Sequence, residues 1–352
     1  MRQMTPLRIG FIGAGGNTRL RHLPGFQALP GVELTVVANR SRASSARVAA
    51  EFRIAGVAAD WREVVERDDV DAICIGTWPY LHAEISIAAL RAGKHVLTEA
   101  RMACDADEAA AMLAASRAAP TRVAQIVPAP LTLAFDDLVR TGFIHGRLGE
   151  LREIEVMHTH GASADPNAPL TWRQRADLSG HNLLTLGIHY EALLRWLDDD
   201  ADVVAVQAAR DIAKRLDETG RMRSVDLPDA VTVLGRFRRT GTRLRLHLSA
   251  IETTEPRHEI RLHGRDGGLR IEMNTRQLWF TPLGGRPAPV PLADPSDDGW
   301  RVEADFVASI REGRPVTRTD FTTGLRYMRF TDAVWSAAQA NLNATDRLRE
   351  NP

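Results

Sequence analysis

A glycine-rich turn and a small set of histidine, asparagine and threonine side chains carry the chemistry available to this sequence. Gly13-Ala14-Gly15-Gly16-Asn17-Thr18 follows an apolar run, Leu7 to Ile12, and precedes a helical pattern over Leu20 to Leu29. Strand, glycine turn and helix in that order form a phosphate cradle. Gly13 permits the tight turn, and Gly15 lets a pyrophosphate approach the backbone, where the helix start supplies N–H donors. The order predicts a dinucleotide over Gly13, Gly15, Gly16 and Asn17. The third fingerprint position is Thr18 rather than Gly or Ala, which weakens the argument for close helix–strand packing. The opposing reading is a glycine turn with a purely structural role.

The second apolar run, Val32 to Ala38, ends in Asn39-Arg40-Ser41. NAD users usually place a carboxylate here for the ribose hydroxyls. Asn39 has no charge to repel a 2′-phosphate, and Arg40 and Ser41 can pair with one. NADP is therefore expected in preference to NAD. The alternative leaves Arg40 stacked on adenine or in solvent.

Leu183 to Leu197 reads as a helix. Leu183, Leu186, Tyr190, Leu193, Leu194 and Leu197 form its buried stripe. Asn182, Thr185 and His189 recur at three and four on a neighbouring stripe. Histidine titrates near neutral pH, so His189 is the candidate proton acceptor, against the alternative of a satisfied helix histidine. His158 and His160 share a strand face and, with His181, raise the question of a metal. No cysteine cluster or carboxylate motif supports one, and no metal is expected.

The elements that must position these groups follow a simple rhythm. Apolar runs at Leu7 to Ile12, Val32 to Ala38, Val70 to Ile75, His95 to Thr98 and Arg122 to Val127 alternate with helical patterns. This predicts an α/β Rossmann fold with a parallel sheet covered on both faces over residues 1–125. From 126 to 352 the pattern changes. Leu151 to His160 and Arg243 to Ser249 alternate, and Gly264 to Gly268 reads as a hairpin turn. A second α/β domain is expected there, with a largely antiparallel open sheet, for substrate binding and oligomerisation as a homodimer or homotetramer.

Lys plus Arg and Asp plus Glu are equal at 45 each, which argues against a nucleic-acid or polybasic membrane surface. No apolar run reaches a membrane span. Only Cys74 and Cys104 are present, and a reducing cytoplasmic compartment is the simpler expectation.

Several stretches together resemble the Gfo/Idh/MocA family of glucose–fructose oxidoreductase, inositol dehydrogenase and MocA-like proteins. They are Gly13 to Thr18 with His22 and Leu23, Val32 to Arg40, Thr77-Trp78-Pro79 with His82, Ala92 to Val96, and Gly180 to Leu197. The resemblance implies an NAD(P)-dependent oxidoreductase acting on a CH–OH group of a sugar, cyclitol or sugar derivative. It implies that Thr77, Trp78, Pro79, His82 and Glu99 line the cofactor, and that His189, with Thr185 and Glu99, serves catalysis. Two departures stand out. The family's Glu-Lys-Pro motif is Glu99-Ala100-Arg101 here, so its lysine is absent, and the family's aspartate four residues before the histidine is Thr185. Arg101 can hold an anion but cannot act as a base. Trp172 and Arg173 are candidate substrate contacts beside Asn182 and His189, with Trp172 offering a face to a sugar ring. Loss of the lysine keeps two alternatives open: a redox-assisted glycosidase with tightly bound NAD(P), and a non-enzymatic NAD(P) or sugar sensor.

Overall fold

The computed structural model describes the backbone of residues 5–350, and side chains through 340 and at Leu342. The chain forms two compact units, Met1–Pro128 with Arg301–Met328, and Ala129–Trp300 with Arg329–Pro352.

In the first unit, β1 (Leu7–Ile12), β2 (Val32–Ala38), β3 (Gly56–Val57), β4 (Ala72–Ile75), β5 (His95–Thr98) and β6 (Ala124–Ile126) pair in the order β3-β2-β1-β4-β5-β6. Every pairing is parallel. Helices α1 (Leu23–Gln27), α2 (Arg42–Phe52), α3 (Trp61–Glu66), α4 (His82–Arg91) and α5 (Ala106–Ala118) make the crossovers. The central strands are near-continuous apolar runs because helices cover both faces. Ile9, Phe11, Ile73 and Ile75 are fully buried. The strand order reverses between β1 and β4, which opens a crevice beyond their carboxyl ends. The Gly13 turn, Asn39 and Thr77 all follow strands at that end.

In the second unit, β7 (Leu151–Thr159), β8 (Ala201–Ala209), β11 (Ala230–Phe237), β12 (Arg243–Ser249), β13 (Arg257–Gly264), β14 (Gly267–Glu272), β15 (Gln277–Pro282) and β16 (Ala288–Val290) form one sheet, and β9 (Lys214–Leu216) pairs with β10 (Met222–Ser224). Only β7 and β12 run parallel within the eight-stranded sheet. Ile154, Val156, Leu246, Ile260, Leu262 and Ile271 point to the buried face. The opposite face carries Arg243 against Glu153 and Arg261 against Glu259. These ion pairs make that face charged, in contrast to the apolar face below it.

Helix α6 (Ala176–Ser179) precedes α7 (Leu186–Leu197), the helix that carries His189. The sequence predicts that α7 begins at Leu183. It begins three residues later because Leu184 and Thr185 adopt left-handed backbone, at φ 50° and 66°. The far half of α7 is tied down in its unit. Trp196 Nε1 donates to Asp136 at 2.7 Å, Arg195 pairs with the same carboxylate at 2.9 Å, and Tyr190 stacks on Phe330 at 3.8 Å.

The sequence also predicts one domain boundary after residue 125. Instead, α8 (Val302–Glu312) and the first residues of α9 (Phe321–Glu350) return to the first unit. Apolar residues draw them there: Phe306 meets Phe26 edge-on at 6.2 Å, and the Tyr327 hydroxyl accepts the Met102 N–H at 2.6 Å.

Candidate active site

The glycine turn of the first unit has the form of a phosphate cradle. Gly13 sits at φ +81°, and a Cβ there would stand 2.6 Å from the Thr77 nitrogen. Above Gly16 there is open space, and a Cβ on Gly15 would meet only the carbonyls of Gly76 at 3.8 Å and Gly13 at 4.0 Å. Residues 16–27 then run as a continuous helix whose middle turn is π-wound. Thr18, at the third fingerprint position, is buried, and its hydroxyl donates to the Gly13 carbonyl at 3.3 Å. It fits because β4 is followed by Gly76, where a Cβ would lie 2.0 Å from the Thr18 hydroxyl oxygen. The glycine expected on the helix is supplied by the facing strand. This arrangement fits a dinucleotide, with its pyrophosphate over Gly15 and Gly16 and the Asn17 helix start.

Gly15→Val is accordingly expected to fold normally and to bind dinucleotide at least tenfold more weakly. Calorimetric affinity equal to wild type would remove the pyrophosphate from this turn.

The Asn39 side chain, expected among the cofactor contacts, is engaged within the protein. Its Oδ1 accepts the Ala14 N–H at 2.7 Å, and its Nδ2 donates to Ser44 at 3.0 Å. Asn39 therefore braces the glycine turn against α2. Ser41 caps α2 by accepting the Ser44 N–H, and Arg40 is the exposed cation of this turn. Trp78 is exposed and Pro79 buried. His82, expected to line the cofactor, is fully buried. Its ring nitrogens lie 2.8 Å from the Arg101 carbonyl and 3.0 Å from the Thr77 carbonyl. It ties two loops together rather than presenting an edge to a ligand.

Glu99 closes this loop cluster. Asn17 donates to it at 2.5 Å, and His22 Nε2 lies 3.1 Å away. The other ring nitrogen of His22 is 2.5 Å from Glu303 on α8. Burial alone would depress the imidazole. The hydrogen bonds and charges of Glu303 and Glu99 outweigh it and raise His22 to about 9. Burial likewise pushes the Glu99 carboxyl up, but the bond to His22 and its charge prevail and hold it below the ordinary value. A buried imidazolium between two carboxylates thus fixes Glu99 in its ionised form. Sequence reading noted His22 only within a matched motif and did not find Glu303. The two are 281 residues apart, and no local signal links them. Arg101, expected to hold a substrate anion, is itself buried.

The second unit holds a separate cluster. His189 is buried on α7, and its Nδ1 lies 3.1 Å from the Thr185 carbonyl. A carbonyl only accepts, so Nδ1 carries the proton and Nε2 the lone pair. Thr185 therefore orients His189 through its backbone, while its hydroxyl donates to the Leu184 carbonyl. Asn182 is buried, and its Oδ1 accepts the Thr185 N–H at 2.9 Å. It shapes the left-handed turn and does not share a helical stripe with His189. His189 Nε2 lies 3.2 Å from His258 Nε2, and His158 stacks on His258 at 4.1 Å. Burial first, then the charge of neighbouring imidazoles (His160 on His158, His158 on His189, and all three others on His258), lowers them: His158 and His189 to about 4, His258 to about 3. All three are neutral at pH 7.

His181 does not join them. It pairs with Asp332 at 2.7 Å and stacks on Trp335 at 5.0 Å. His258, which sequence reading did not consider, takes that place because it faces His158 in the β7–β13 register. Arg173 covers one face of Trp172, with its guanidinium 4.4 Å from the ring centre.

Comparison with known proteins fits both units. Residues 7–125 match the oxidoreductase family with an NAD-binding Rossmann fold, and residues 139–270 match the GFO/IDH/MocA C-terminal domain. The chain belongs to the Gfo/Idh/MocA family. It is 25% identical to levoglucosan dehydrogenase of Pseudarthrobacter phenanthrenivorans over 94% of each chain. It is 27% identical to 1,5-anhydro-D-fructose reductase of Ensifer adhaerens, covering 90% of this chain and 99% of that one. The crystal structure of an oxidoreductase domain protein from Kribbella flavida superposes with a TM-score of 0.85 at 26% identity, over 96% and 98% of the two chains. As a Gfo/Idh/MocA protein, this chain is an NAD(P)-dependent oxidoreductase. Among its described residues no helix is long and apolar enough to cross a membrane.

Proposed function

We propose that this chain moves a hydride between NADP(H) and a CH–OH carbon of a sugar or anhydrosugar, with His189 moving the accompanying proton. The observation that carries the reading is the orientation of His189. Its Nδ1–H is committed to the Thr185 carbonyl at 3.1 Å, which leaves Nε2 as the acceptor atom. The nicotinamide, when bound, supplies hydride chemistry. His189 receives the hydroxyl proton at Nε2, the atom to which His258 Nε2–H otherwise donates at 3.2 Å. Thr185 keeps the tautomer fixed, and Ala100 leaves no lysine to share the proton. The sugar class draws support from relatives named for levoglucosan and 1,5-anhydro-D-fructose. The test is a screen of sugars, anhydrosugars and polyols with purified protein, followed by nicotinamide absorbance. Absence of redox turnover across the panel would overturn the proposal.

The preference for NADP rests on Arg40, the exposed cation after β2. A 2′-phosphate there gains a charge-assisted hydrogen bond, and NAD has no group to use it. Arg40→Ala is expected to weaken NADP roughly tenfold and to leave NAD little changed. Wild-type protein that binds NAD as tightly as NADP would count against this assignment.

A further inference from the structure

We infer that His158, His189 and His258 form a binding site for one divalent transition-metal ion of the zinc class, with a coordination position left open. The three imidazoles come from β7, α7 and β13, and one nitrogen from each lies within 4.8 Å of the others. Tetrahedral zinc with Zn–N of 2.0–2.1 Å holds its nitrogens about 3.3 Å apart. His189 Nε2 and His258 Nε2 are already 3.2 Å apart. His189 has the outer hydrogen bond that orients metal-binding histidines, Nδ1–H to the Thr185 carbonyl, so its lone pair points into the cluster. His158 has no hydrogen-bond partner among the described residues, and its ring stacks on His258 at 4.1 Å. His189 is buried, while His158 and His258 are half-buried, so the cluster has a protected side and an approachable one. Three neutral imidazoles with one open position are a set that zinc accepts, whereas magnesium and calcium prefer oxygen ligands.

His160 lies next to the site but outside it. Its Nδ1 is engaged by the Ala162 N–H at 3.2 Å, and it is not in the group whose nitrogens lie within 4.8 Å of one another. The hydrophobic residues around β7 and β13 hold the frame, since His258 faces His158 in register and Ile260 faces Val156 two positions on. The β-sheet thus sets two ligands and α7 delivers the third.

This site goes beyond the hydride-transfer reading. His189 Nε2 cannot bind a metal and accept a proton at the same time, so the two are separable by experiment. The test uses the full chain, free of any affinity tag and dialysed against EDTA. Titration with Co²⁺ is expected to give one equivalent bound, with the intense visible absorption of a four-coordinate ion, and Zn²⁺ is expected to displace it. His258→Gln and His158→Gln are expected to weaken binding on the order of 100-fold or more, since losing a ligand costs at least what losing an outer partner does. His160→Ala is expected to bind like wild type. Circular dichroism checks that each variant is folded. If the glutamine variants do not fold, the wild-type melting temperature decides: Zn²⁺ should raise it and Mg²⁺ should not. Absence of a four-coordinate cobalt spectrum in wild type, or equal affinity in folded His258→Gln, would overturn the site. EDTA-treated protein that keeps its redox turnover leaves the proposed function intact whatever the metal result.

Discussion

His189→Ala is expected to bind dinucleotide like wild type and to turn over sugar about 10²- to 10⁴-fold more slowly, the usual cost of losing a positioned acid–base group. The dinucleotide cradle lies wholly in the first unit, at Gly13 to Asn17, and His189 lies in the second. Loss of the imidazole therefore leaves the cradle untouched. Of the neighbouring groups, the Thr185 hydroxyl is spent on the Leu184 carbonyl, and His258, lowered to about 3, takes up a proton less readily than His189. His189→Gln separates shape from chemistry, because it fills part of the same space and cannot take a proton. Both variants should lose kcat with little change in cofactor affinity. Near-wild-type kcat in a folded His189→Ala enzyme would route the proton elsewhere.

The second large effect concerns stability. His22 is fully buried between Glu99 and Glu303 and is raised from 6.5 to about 9. A raised folded-state value means that folding binds a proton. The stabilisation is complete below about pH 6.5, where the unfolded chain is also protonated, and is lost as pH rises to about 9. A shift of this size corresponds to roughly 3 kcal/mol. Denaturant unfolding of the wild type should therefore show stability falling by about that amount between pH 6.5 and 9. His22→Gln leaves two carboxylates without their buried cation, which typically costs about 3–5 kcal/mol. The variant should also lose the pH slope. Parallel, flat stability curves for wild type and variant over this range would show that the imidazolium does not hold Glu99 and Glu303 together.

The sequence by itself determined the layered architecture and the cradle. Leu7 to Ile12 and Val32 to Ala38 coincide with β1 and β2 residue for residue, because their apolar side chains, Ile9, Phe11, Val36 and Val37 among them, fill the core on the sheet's two faces. The Gly13 turn was legible because its backbone demand is local: a positive φ is open to glycine wherever it sits. His189 was legible through a motif of short range. What only the tertiary structure decided involves partners distant in the chain. Thr18 could be judged only with Gly76 opposite it, 58 positions on. The ionisation of Glu99 depends on His22 and on Glu303 from a helix that returns to the first unit. Asn39 turned inward because Ala14 offers an N–H at 2.7 Å. The trio of His158, His160 and His181 gave way to His158, His189 and His258 because strand register, not spacing along one strand, brings imidazoles face to face. Residue type and local spacing state which groups a chain possesses; burial, register and opposing charge, which arise only when distant segments pack, fix which of them are charged and which way each one points.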